Sequence, residues 1–140
     1  MNVIRDNIGG WVCPTNRNGA RLPGEEDPMP DSPFAQKTCI PCEGGTPALP
    51  EDAARKMMAQ LDGWTLTGDA RSIFKRFEFK GFAKPVELAN LAAWLGNKQG
   101  HHPDIRFGWG YCEVSFTTHA ADGLTENDFI CAARLDALLA

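Results

Sequence analysis

DIRFGWGYCEVSFTT, Asp104 to Thr118, is the stretch whose reading decides the fold of this chain. In its second half Cys112, Val114 and Phe116 alternate with Tyr111, Glu113, Ser115 and Thr117. That period of two belongs to a strand with one buried face. DIRFGW reads as the strand before it, so the pair predicts an antiparallel hairpin. Downstream, Thr125-Glu126-Asn127-Asp128 has the pattern of a capping box opening a last helix, with Phe129, Ala132, Ala133 and Leu135 on its apolar side. Upstream, KPVELANLAAWLGNKQG is the longest helix candidate. Pro85 sits in its first turn, Leu88, Leu91, Ala92 and Leu95 form its buried stripe, and Gly96 or Gly100 closes it.

Further back, PEDAARKMMAQL spaces Ala54, Met57, Met58 and Leu61 for a short amphipathic helix. DGWTLTG and RSIFKRFEFK, joined across Gly68-Asp69, predict another hairpin, although Lys75 interrupts its Ile73, Phe77, Phe79 face. The order α-β-β-α-β-β-α predicts an α+β fold, a four-stranded antiparallel sheet with three helices packed on one face. An edge strand left open on so small a sheet favours dimerisation by sheet extension.

The 140 residues fit one domain with an appended tail. Eight of the ten prolines lie in residues 1–50, and that density opposes both helix and sheet. Residues 1–36 are therefore expected to form a flexible Pro/Gly-rich tail, 37–49 a leader containing CIPC, and 50–140 the folded domain. A net charge of -4 gives no basic footprint for nucleic acid. No apolar run approaches the roughly 20 residues that span a bilayer. Five cysteines without a secretory signal point to reduced thiols and a cytoplasmic protein.

All three histidines fall at one predicted place: His101 and His102 just before the first strand of the DIRFGW hairpin, His119 just past the end of the second. Pro103 biases His102 to an extended backbone, and neighbours in an extended segment point to opposite sides. The two imidazoles are thus set for separate tasks. Three readings stand side by side: surface or capping residues, a three-histidine zinc site, and general acid–base catalysis near neutral pH. Against the metal stand the adjacent HH and the absence of HxxxH or HExxH. Cys39 and Cys42 of CIPC lack a second CxxC and read as reduced cysteines in a turn with Gly44-Gly45.

GHHPDI, FTTHAADGLTENDF, the GW of DGWTL and the FKRFEF strand together resemble the pterin-4a-carbinolamine dehydratases over about residues 50–140. KTCIPCEGG is similar to a leader found in some bacterial members. The resemblance implies the layered fold above, assembled as a homodimer or homotetramer. It also implies dehydration of 4a-hydroxytetrahydrobiopterin to the quinonoid dihydropterin, which regenerates tetrahydrobiopterin for aromatic amino-acid hydroxylases without a metal or organic cofactor. His101 and His119 match the acid–base pair, and His102 the histidine supporting ring and hydroxyl. Pro103, Thr118, Ala120 and Ala121 match the lining of the pterin pocket, and Trp64 a tryptophan near it. Asp128 matches an acid linked to the site. Asn97 stands where an acid is common in the family, and Asn127 where some animal members carry arginine. Animal members also serve as dimerisation cofactors of a homeodomain transcription factor, and relatives in photosynthetic organisms assist assembly of a carbon-fixing enzyme. A binding or assembly module is therefore the competing expectation. Assembly-type relatives tend to lose the catalytic histidines, and this chain keeps all three.

Overall fold

The alternation at Tyr111–Phe116 becomes an interior strand of the sheet in the computed structural model, which describes residues 32–41 and 45–140. In chain order the elements are α1 (Glu51–Met58), β1 (Thr65–Leu66), β2 (Ile73–Glu78), α2 (Ala83–Gln99), β3 (Asp104–Gly108), β4 (Tyr111–Phe116) and α3 (Glu126–Leu139). The four strands run antiparallel in the spatial order β1-β2-β4-β3. The expected α+β order and sheet are both present. β1 and β3 form the two edges.

The register explains the core. Ile73 lies opposite Phe116, Lys75 opposite Val114 and Phe77 opposite Cys112, while Ile105 and Phe107 flank Val114 and Cys112 from the other side. Directly opposed residues share a face, and Cys112, Val114 and Phe116 are wholly buried there. α2 and α3 pack on each other and on the β3–β4 half of the sheet, with α1 beside β1. Lys75, which interrupts the apolar pattern of β2, does lie on this face. Its Nζ reaches Asp136 of α3 and the Asp62 carbonyl, both at 2.8 Å, and passes 5.2 Å from the Phe77 ring centre. The aliphatic stem covers core while the ammonium finds partners at the rim. Asp136 also accepts the Trp64 indole N–H at 2.8 Å, so one carboxylate joins α3 to both strands of the first hairpin region.

Gly100, not Gly96, closes α2: it takes the left-handed conformation at φ 64° that a glycine adopts without strain. Gly96 stays inside the helix and buried. α3 starts at Thr125, whose backbone N–H donates to the Asp128 carboxylate at 2.8 Å, as the capping pattern anticipates.

Residues 1–31 of the expected tail, and Cys42, lie outside the described residues. The described end of that tail is packed. Ser32 caps a single 3-10 turn, Pro33–Gln36, which buries Phe34 6.1 Å from the Phe129 ring. The proline density is compatible with this because Pro33 sits at the start of the turn, where no N–H is needed. No helix of the described residues is long and apolar enough to cross a membrane.

The Gly96 position yields a test. A Cβ there meets Pro103 Cδ at 2.7 Å, and the His101 carbonyl and His102 Cα at 3.3 Å. Glycine to alanine inside a helix ordinarily stabilises by about 1 kcal/mol. Here Gly96→Ala is expected to destabilise by roughly 1–3 kcal/mol through overpacking. Urea unfolding checks this, and a G96A chain at least as stable as wild type contradicts the tight contact.

Candidate active site

The close approach of Pro103 to Gly96 presses the His-His-Pro segment against the end of α2. The His101 backbone N–H continues the attachment by donating to the Gly96 carbonyl at 3.0 Å. From that anchor the segment runs into β3. Asp104 lies opposite Ser115, so the residues before Asp104 run alongside those following Ser115. This register runs the His101–His102 segment alongside the chain that leads from β4 to His119.

His101 turns inward and keeps only 8% of its surface exposed. Its Nε2–H donates to Asp128 Oδ1 at 2.6 Å. Asp128 is itself wholly buried. Its Oδ2 accepts from the Thr125 backbone N–H and from the Thr118 hydroxyl, both at 2.8 Å. With the Thr118 proton committed to Asp128, the Thr125 hydroxyl donates to Thr118 Oγ1, also at 2.8 Å. The His101 ring lies nearly parallel to Phe116, centres 6.1 Å apart. Burial pulls the His101 pKa down, but the hydrogen bond to Asp128, that carboxylate's charge and Cys39 outweigh it, so the net shift is upward. A raised folded pKa makes the pair most stabilising below the ordinary histidine value of about 6.5, and that contribution is lost as pH rises through the folded value.

His102 is exposed, and its Nε2 donates to Asn97 Oδ1 at 3.0 Å. Asn97 thus serves the second histidine, whereas the carboxylate of the first comes from Asp128. His119 opens a 3-10 turn, His119–Ala121, directly after buried Thr118, and stands exposed with Ala120. The turn is closed by Asp122 in the left-handed conformation, φ 53°, and by the Thr118–Gly123 bridge. Among the described residues, no group of three or more His, Cys, Asp or Glu side chains is arranged to hold a metal ion.

Trp64 sits in the core, 7% exposed, with its ring 5.8 Å from Phe116. It therefore borders the His101 side of the core through Phe116. Asn127 pairs with the leader: its Nδ2 donates to the Ile40 carbonyl at 2.6 Å and its Oδ1 accepts the Ile40 N–H at 3.1 Å. Cys39 belongs to this leader contact, with its thiol 3.4 Å from Cys131 of α3. The reading of CIPC as a simple turn misses that partner. Sequence reasoning also missed Gly96 and Phe116 as supports of His101. A glycine within a helix seven residues before a proline was the only local signal for the first. For Phe116, strand alternation announced burial but not the histidine against it.

A profile of the family described as pterin 4 alpha carbinolamine dehydratase matches residues 47–138. A Nitrosospira multiformis protein provisionally named pterin-4-alpha-carbinolamine dehydratase is 46% identical over 105 residues, covering 75% of this chain and 91% of the relative. A Paracoccus denitrificans protein of the same provisional name is 52% identical over 93 residues, 66% of this chain and 87% of the relative. The crystal structure of a transcriptional coactivator/pterin dehydratase from Brucella melitensis superposes with a TM-score of 0.61 at 28% identity, covering 66% of this chain and 99% of that one. By the span of the profile match and the identity to these relatives, the chain belongs to the pterin-4-alpha-carbinolamine dehydratase family.

Proposed function

We propose that this chain dehydrates 4a-hydroxytetrahydropterin, with His101 as general acid, His119 as general base and His102 supporting the ring and its hydroxyl. The observation that carries the reading is the buried Asp128 carboxylate on His101 Nε2. It holds the imidazole protonated to higher pH than a free histidine. Since Nε2 is committed to Asp128, Nδ1 is the nitrogen that hands a proton to the departing 4a-hydroxyl, which leaves as water. His119, exposed one residue beyond Thr118, takes the proton from the ring nitrogen as the quinonoid double bond forms. Each transfer contributes about 10²–10⁴-fold. Pro103, Thr118, Ala120 and Ala121 line the pterin in this reading, and no metal or organic cofactor takes part. A homo-oligomer fits it, because the outer edge of β3 is unpaired among the described residues and Phe107 and Trp109 beside it are exposed.

A second reading, a protein-binding module, is favoured by the Brucella melitensis neighbour, whose name joins coactivator to dehydratase. The two are separated by activity. His119→Ala is expected to remain folded by circular dichroism and to lose about 10²–10⁴-fold of the acceleration over spontaneous dehydration, followed by absorbance. Full turnover in a folded H119A protein contradicts the enzyme reading. A wild type with neither turnover nor pterin binding, and a stoichiometric protein partner, favours the module.

The role of Asp128 is read from pH. In wild type, kcat/KM falls on the alkaline side as His101 deprotonates, above the ordinary value of about 6.5. Asp128→Asn removes the charge that holds the proton, so this limb moves to lower pH. An alkaline limb that stays in place in a folded D128N protein excludes His101 as the acid.

A further inference from the structure

Residues 32–41 lie N-terminal to the profile match at 47–138, yet they are fastened to the domain at several points. Phe34 is buried against Phe129, and Lys37 pairs with Glu126. The Lys37 carbonyl accepts from Arg134 Nε at 2.5 Å, and the Cys39 N–H donates to Gln99 Oε1 at 3.2 Å. The Ile40 backbone is held on both sides by Asn127. The effect of these ties is to set a half-buried thiol, Cys39, 3.4 Å from the buried thiol of Cys131. From the anchored strap and the facing thiols we propose that Cys39 and Cys131 form a redox site, oxidised by hydroperoxides to an intrachain disulfide that fastens residues 32–41 to α3.

The bonding step needs the sulfurs to close from 3.4 Å to about 2.05 Å. The Cys39 thiolate attacks one oxygen of the hydroperoxide. The O–O bond breaks, and an alkoxide (or hydroxide) leaves and takes up the proton that the thiol released on ionising, giving an alcohol (or water). Cys39 keeps the transferred hydroxyl as a sulfenic acid. Cys131 then attacks that sulfur, the S–O bond breaks, and hydroxide departs with the Cys131 proton as water. Two thiols and one hydroperoxide give one disulfide, one alcohol and one water. The two cysteines are suited to different halves of this sequence. The hydrogen bond with Cys131 lowers the Cys39 pKa, opposed by burial and by the Asp128 charge and helped by the charges of His101 and Arg134. The same hydrogen bond, with burial, pushes Cys131 upward. A low-pKa, accessible thiol attacks the oxidant. Once Cys39 is a sulfenic acid, its thiolate charge no longer holds the Cys131 proton, and proximity at 3.4 Å makes Cys131 the resolving sulfur. Cys112 is buried and raised by that burial, which makes it an internal control. The site does not depend on the dehydratase reading.

The test uses the full chain, reduced and freed of reductant, then treated with one equivalent of hydrogen peroxide, unfolded in denaturant, alkylated and mapped by mass spectrometry without reduction. The expected map links Cys39 to Cys131, leaves Cys112 alkylated, and reverts with dithiothreitol. The linked residues are 92 apart, so the oxidised chain is expected to melt at a higher temperature. Cys131→Ser should stop at a Cys39 sulfenic acid trapped by dimedone, while Cys42→Ser should leave the link intact. A Cys39–Cys42 bridge in wild type overturns the proposal. So do unmodified Cys39 and Cys131 thiols after that treatment, or an oxidised chain that melts lower than the reduced one.

Discussion

A carboxylate with no exposed surface has to be surrounded by donors, and Asp128 is. An ionised group left unpaired in a protein interior costs several kcal/mol, so its partners are not optional. They come from three parts of the chain. The Thr125 N–H belongs to the start of α3, the Thr118 hydroxyl to the end of β4, and His101 to the segment that leaves α2. One side chain thereby fixes where the last helix begins, where the strand ends and which way the first histidine faces. Any change that strands one donor leaves the others around a poorly balanced charge.

The three histidines are held with graded firmness. His101 is locked by a buried charged hydrogen bond and by Phe116 beneath it. His102 has one contact to an exposed asparagine at a helix end. His119 rides on a short 3-10 turn whose backbone is stabilised by Asp122 and Gly123. On the proposed reading, a firmly held proton donor and two more adjustable histidines suit a site that admits a flat ring and releases it.

Much of the architecture was legible because local patterns and global packing agree. The alternation of β4, the stripe of α2 and the cap of α3 each encode one element within a few residues. Asp128 was readable in two ways, as a helix cap or as a residue linked to the histidines, and its two oxygens take the cap and His101 respectively. No local pattern could reveal the second, since His101 lies 27 positions away. Distance in sequence hid the rest for the same reason. Lys75 breaks the alternation because Asp136, far along the chain, receives it. Asn97 stands where an acid is common in the family, and which histidine it meets, His102, is a matter of three-dimensional placement. Phe34 sits amid prolines that argue against regular structure, and its burial depends on a surface of α3 that is formed much later in the chain.

The contact between Gly96 and Pro103 makes two separate positions share one allowance of space. As long as proline follows the paired histidines, any side chain at position 96 collides with its ring. Substitution of Pro103 by a residue without a ring carbon on its nitrogen removes the nearest atom in the way and leaves the His101 carbonyl and the His102 Cα at 3.3 Å. The cost of a side chain at 96 therefore depends on what stands at 103, and the helix glycine and the loop proline behave as one packing unit.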